Sequence, residues 1–141
     1  MTLTLSGVFS PGEISLKDAS VQILVVIDDD DRVREAARCL IESLGYAVEA
    51  FASADEYLRS GSIHKTACLI TDVQMSGMSG VDLHGRLVAE GHRTPIIFMT
   101  ALPVEKLPAV EDGVVGILRK PVDVEQLIET VNRAPKGRHQ R

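Results

Sequence analysis

The chain has 141 residues, 45% of them hydrophobic and 25% charged, with a formal net charge of −5. That composition excludes an intrinsically disordered chain, and the length allows a core that needs neither disulfide nor structural metal. The two cysteines, Cys39 and Cys68, are too few for a disulfide framework and lack the spacing of a zinc site, so a reducing cytoplasm is expected.

The longest apolar runs, Ile23 to Ile27 and Ile96 to Met99, fall far short of the ~18 residues of a membrane span. No basic residue precedes Lys17, where a secretory signal would carry its charge. Arg133, Lys136, Arg138 and Arg141 make the last nine residues +4, which leaves −9 on residues 1–132. An acidic body with four charges on a short tail argues against nucleic-acid binding, which needs a basic face, and nothing points to a membrane partner.

Residues 1–20 mix Ser, Gly, Pro and charge without a period and read as a flexible leader. Val21 to Ile27 is a β-branched run that stops at four aspartates, as a strand buried on both faces would. Val33, Ala36, Ala37, Leu40, Ile41 and Leu44 form a helical stripe with Gly45 placed as its stop. A second strand is expected over residues 46–51, then a short helix capped by Ser53, then a third strand over 67–71 ending in Asp72. A glycine-containing loop, Val73 to Gly80, leads to a helix over 81–90 with Gly91 beyond it. Pro95 opens a fourth strand, Ile96 to Met99, followed by Thr100. Pro103 and Pro108 make any helix over 104–112 short or irregular. A fifth strand, Val114 to Arg119, ends at Lys120-Pro121, and Asp123 with Gln126 caps a final helix that Pro135 terminates.

Five strands alternating with five helices, the strands almost uniformly apolar, predict an open, doubly wound parallel α/β sheet with helices on both faces. One domain is expected over residues 21–133, with a basic tail over 134–141 and no room for a second domain.

In such a sheet ligands bind beyond the carboxyl ends of the strands. Asp28 and Asp29, Asp72, Thr100 and Lys120 all fall there, so three carboxylates, a hydroxyl and an ammonium are expected to converge. Crowded carboxylates favour a hard divalent cation such as Mg²⁺ (or Mn²⁺). The chemistry that fits is phosphoryl transfer to a carboxylate. Asp72 is the candidate acceptor, Asp28 and Asp29 the metal holders, Thr100 a hydrogen-bond donor to the phosphoryl group and Lys120 its opposing charge.

The segments VVIDDDDRVRE, LITDVQMSGMSG, PIIFMTA and LRKP, in that order over about residues 21–133, resemble the motifs of the response-regulator receiver family, and within it receivers of the FixJ type. The resemblance implies a CheY-like (flavodoxin-like) fold and a phosphoacceptor rather than an enzyme. It makes Asp72 the acceptor, Asp29 the direct Mg²⁺ ligand of the acid pair, the Gln74 backbone carbonyl a further ligand, and Thr100 and Lys120 the switch hydroxyl and phosphate-binding lysine. It also implies a cis Lys120-Pro121 bond. Matching Val33-Arg34 to the family's hydrophobic-basic pair leaves Asp30 and Asp31 as helix N-terminal charges. The implied partners are a sensor histidine kinase or histidine phosphotransfer protein and a downstream protein, in a phosphorelay or two-component system acting in trans.

Three departures stand out. Ile117 occupies the position of the family's usual switch aromatic, Ser76 stands where its acceptor loop usually has proline, and the stretch from Thr100 to Lys120 is shorter than usual. A haloacid-dehalogenase-type phosphohydrolase is the alternative from another class, with its nucleophile in the first acidic cluster. A pseudo-receiver that binds its partner without phosphorylation is the third reading. His64, His84, His92 and His139 are expected to be scattered, solvated positions, which argues against a histidine metal site or a phosphotransfer histidine; Cys39 is expected to be partly exposed, Cys68 to lie in the core, and Met75 and Met78 to flank the acceptor loop.

Overall fold

The computed structural model describes residues 22–103 and 113–134. Five strands, β1 (Ile23–Ile27), β2 (Val48–Phe51), β3 (Thr66–Asp72), β4 (Ile96–Thr100) and β5 (Val114–Arg119), form one sheet in the order β2-β1-β3-β4-β5. Every neighbouring pair is parallel. Four helices are described: α1 (Asp31–Ser43), α2 (Ala54–Arg59), α3 (Gly80–Ala89) and α4 (Val124–Arg133), with a 3₁₀ turn at Ile63–Lys65. The expected leader, the irregular segment over 104–112 and the tail beyond Ala134 lie outside the described residues.

The uniform apolarity of the strands follows from two-sided burial, because successive side chains point to opposite faces. Leu24, Val26, Cys68, Ile70, Ile97 and Met99 pack with Ala37 and Ile41 of α1 and with Leu127 and Val131 of α4. Ile23, Val25, Ile27, Leu69, Ile96 and Phe98 pack on the other face with Ala54 and Tyr57 of α2 and Leu83 and Leu87 of α3. Each fully buried large side chain contributes about 1.5–3 kcal/mol.

Helix ends follow the local chemistry. Asp30 caps α1 by accepting from the Arg32 and Val33 N–H groups, and Ser53 caps α2 by accepting from Glu56 N–H. Asp123 caps α4 through Glu125 and Gln126 N–H. Gly45 follows α1 at φ +100°, a conformation that a side chain disfavours. β2 starts at Val48 rather than at Tyr46, whose hydroxyl instead donates to Asn132 on α4 at 2.9 Å.

Of the histidines, His64 is exposed as expected and His139 lies outside the described residues, but two expectations fail. His84 is 8% exposed on the buried side of α3, its ring set edge-on to Phe98 at 6.1 Å. His64 and His92 are not scattered: their ring centroids lie 5.5 Å apart. Cys39 is exposed and Cys68 is buried. Met75 and Met78 pack partly buried against the core face that contains Phe98.

Candidate functional site

Strand order reverses between β1 and β3, which opens a crevice at their carboxyl ends. The register fills it. Ile27 pairs with Thr71, so Asp28 and Asp72 leave adjacent strands at one level. Asp72 pairs with Met99 and Thr100 with Arg119, so Thr100 and Lys120 each stand at a strand end on the same edge. Carboxylate oxygens of Asp28, Asp29 and Asp72 lie within 4.8 Å of one another. Asp28 and Asp72 are buried while Asp29 is exposed.

Two buried charges at that separation repel by roughly 3.5 kcal/mol at an effective dielectric of ~20, so the arrangement requires a cation. Lys120 supplies one. Its Nζ lies 2.9 Å from Asp28 Oδ2 and 2.9 Å from Asp72 Oδ2. The contact to Asp72 is a hydrogen bond, and Asp28 Oδ2 is held by the same ammonium as an ion pair. Burial pushes the Asp72 carboxyl above its ordinary value, opposed by the Lys120 hydrogen bond and reinforced by the Asp28 charge. Burial disfavours the Lys120 ammonium, but the Asp28 and Asp72 carboxylates outweigh it and hold its pKa above the ordinary lysine value.

The loops around the carboxylates are tied down by backbone groups. Asp28 Oδ1 accepts from Asp30 N–H at 2.8 Å, and Arg34 Nη1 donates to the Asp28 carbonyl at 2.7 Å. Asp72 Oδ1 accepts from Gln74 N–H at 3.2 Å, which sets Gln74 directly beside the acceptor candidate. Ser76 N–H donates to Asp29 Oδ2 at 3.2 Å, a bond that proline at this position could not make. Gly80 lets the start of α3 approach β3: a Cβ there would stand 2.2 Å from the Asp72 carbonyl oxygen. Thr100 is fully buried, and its hydroxyl accepts from Leu102 N–H at 2.9 Å. Among the described residues it makes no hydrogen bond to the carboxylates. The Lys120-Pro121 peptide bond is cis. Ile117 is half-buried and pairs with Phe98 across β4 and β5.

Sequence reasoning brought Asp28, Asp29, Asp72 and Lys120 to one place but missed two supports, the Arg34 bond to the Asp28 carbonyl and the Ser76 amide on Asp29. Arg34 lies one helical turn after Asp31, on the side of α1 that faces its own N-terminus, which is the signal that could have revealed it.

The donor set suits a hard divalent cation. Three carboxylates offer oxygen ligands, and the buried Asp28 Oδ2, whose partner is the Lys120 ammonium alone, keeps lone-pair capacity that a metal cation would use. Among the described residues no other group of three or more acidic, His or Cys ligands converges. No helix of the described residues is long and apolar enough to cross a membrane.

Comparison with known proteins agrees with this architecture. Residues 24–132 match the response regulator receiver domain family. The chain is similar to the response regulator protein TodT of Pseudomonas putida, 35% identical over 117 residues covering 81% of this chain and 51% of that protein. It is likewise similar to the transcriptional regulatory protein FixJ of Azorhizobium caulinodans, 42% identical over 118 residues covering 80% of this chain and 54% of that protein. The chain thus spans about half the length of these relatives. Among solved structures, the response regulator StyR superposes with a TM-score of 0.75 at 32% identity, covering 82% of this chain and 60% of that one. A response regulator receiver protein from Pseudomonas putida superposes with a TM-score of 0.69 at 30% identity, covering 81% of this chain and 98% of that one. With the matched region running from β1 into α4, through every strand whose end carries a residue of the acidic site, the chain belongs to the response-regulator receiver family.

Proposed function

We propose that this chain accepts a phosphoryl group on Asp72 from a histidine kinase or histidine phosphotransfer protein, in the cytoplasm and with a divalent cation, and signals by altered affinity for a protein partner. The observation that carries this reading is the Lys120 ammonium shared by Asp28 and Asp72 at the switch in strand order. Asp28, Asp29, Asp72 and the Gln74 carbonyl would hold Mg²⁺ or Mn²⁺. When bound, the ion supplies positive charge that offsets both the acidic cluster and the incoming phosphoryl oxygens.

An Asp72 carboxylate oxygen attacks phosphorus. A P–O bond forms while the bond from phosphorus to the donor's histidine nitrogen breaks, and the electron pair leaves with that nitrogen. Lys120 is already hydrogen-bonded to Asp72 and turns its remaining N–H groups to the phosphoryl oxygens. Thr100 accepts from Leu102 N–H and so keeps its own O–H to donate. Phosphorylation adds about −1.5 to −2 charge and three acceptor oxygens, which draw both groups inward.

A small phosphodonor with Mg²⁺, followed by intact mass and peptide mapping, tests the reading. Modification at Asp72 supports it. Modification at Asp28 would favour a phosphohydrolase, and no modification at all would favour a phosphorylation-independent binding module.

The Ser76 amide competes with a cation for Asp29 Oδ2. A long, exposed hydrogen bond of this kind is worth at most about 1 kcal/mol, so Ser76→Pro should tighten Mg²⁺ binding by about two- to fivefold in calorimetry. Weaker binding in that variant would mean that the amide instead orients Asp29 for the ion.

Output should be muted on β5. Ile117 is β-branched and half-buried against the core face that contains Phe98, so its inward movement displaces less area than an aromatic's. Hydrogen exchange with a beryllofluoride mimic should change most in Val73 to Gly80 and after Thr100. Changes confined to Val114–Arg119 would show that isoleucine replaces the aromatic fully.

A further inference from the structure

We propose that His64 and His92 form a two-imidazole site for a borderline transition-metal ion, with Zn²⁺ as its probe, at the edge of the sheet opposite the carboxylates. His64 lies in the 3₁₀ turn that leads into β3, and His92 lies between α3 and β4. β3 and β4 are paired neighbours, so their lead-in segments meet and bring the two rings to 5.5 Å between centroids, with planes at 69°.

That spacing fits a shared ion. A tetrahedral centre bonded to two imidazole nitrogens at ~2.0–2.1 Å holds the ring centroids roughly 5 Å apart, since each centroid lies about 1 Å behind its nitrogen. The rings therefore need rotation and a small approach rather than a rearrangement of backbone. An edge-to-face pair would by itself suit ordinary packing, but this pair lines an open cavity of about 580 Å³, with room for the waters that would complete the coordination. His92 also stands at the carboxyl end of α3, where its N–H bonds the Leu87 carbonyl and the helix dipole favours positive charge.

Neighbouring charge opposes this only in part. Lys65 is paired with Glu49 at 3.1 Å, and Arg93 is exposed to screening solvent. Ligand type distinguishes this site from the carboxylate cluster: imidazole nitrogen suits Zn²⁺, Ni²⁺ or Cu²⁺ and not Mg²⁺, whereas carboxylate oxygen takes Mg²⁺ and also Zn²⁺, so only the Zn²⁺ binding that the two histidine substitutions weaken is assigned here. The inference does not depend on the phosphoacceptor reading.

Calorimetric titration of the full chain with Zn²⁺, in excess Mg²⁺ to occupy the carboxylates, tests it. One Zn²⁺ per chain is expected, and His64→Gln and His92→Gln should each weaken binding by about tenfold or more while leaving the circular dichroism spectrum unchanged. Substoichiometric Cu²⁺ should broaden the ring resonances of both histidines. Absence of Zn²⁺ binding in excess Mg²⁺, or an affinity that survives both substitutions, overturns the proposal.

Discussion

Asp72→Asn should accept no phosphoryl group and yet be at least as stable as the parent in Mg²⁺-free buffer at neutral pH. The amide is nearly isosteric with the carboxylate but lacks the charge that makes its oxygen a nucleophile. The stability expectation follows from the direction of the Asp72 shift. Burial and the Asp28 charge raise its folded pKa above the ordinary value despite the Lys120 hydrogen bond. Such a group contributes its full stability only below its unfolded pKa and loses it as pH rises through the folded value. At neutral pH the ionised carboxylate is therefore a net cost to folding, which the amide removes. Intact mass after treatment with a small phosphodonor and thermal melts at several pH values check both halves. A full-yield mass increase in the variant would move the acceptor to another residue. A clear loss of stability would show that the bond from Lys120 to Asp72 outweighs burial and repulsion.

The strands were legible because burial on both faces leaves runs with hardly a polar residue. β5 matches its expected range, and β1, β3 and β4 shift by at most two residues at either end. The convergence of Asp28, Asp72 and Lys120 was legible for the same reason: each residue lies at most two positions beyond the last apolar residue of a strand, and parallel pairing aligns strand ends. Contacts that depend on loop geometry were not legible. Ser76 N–H reaches Asp29 because the loop after β3 folds back over β1, and a backbone amide leaves no mark on residue identity. His84 looked solvated because the period of α3 alone does not show that its ring closes over Phe98. The approach of His64 to His92 depends on how two turns at the far edge lie against each other, which spacing along the chain does not encode.

Lys120→Ala should cost roughly 2–4 kcal/mol of stability at neutral pH without Mg²⁺, and saturating Mg²⁺ should restore most of it. Removing one partner of a buried ion pair costs about 3–5 kcal/mol, because the remaining charge is left uncompensated. The lower figure here reflects the 19% exposure of the Lys120 side chain, which lets water reach the ammonium. What remains in the variant is the fully buried Asp28, its Oδ2 without a hydrogen bond, against Asp72. The pH dependence separates this cause from simple loss of packing. The carboxylates hold the Lys120 pKa above its ordinary 10.5, so the clamp stabilises the parent fully below that value and is lost as pH rises through the folded value. The variant lacks that alkaline step and instead gains relative stability as pH falls and its uncompensated carboxylates take up protons. A divalent cation at a hundred times its dissociation constant adds about 2.7 kcal/mol to any fold that binds it, enough to offset most of the loss. Urea unfolding across pH, with and without Mg²⁺, measures each part. Parent-like stability in metal-free buffer would show that the Lys120 clamp contributes nothing net, and a loss that neither acid nor Mg²⁺ repairs would show that Lys120 acts through its aliphatic stem and not through its charge.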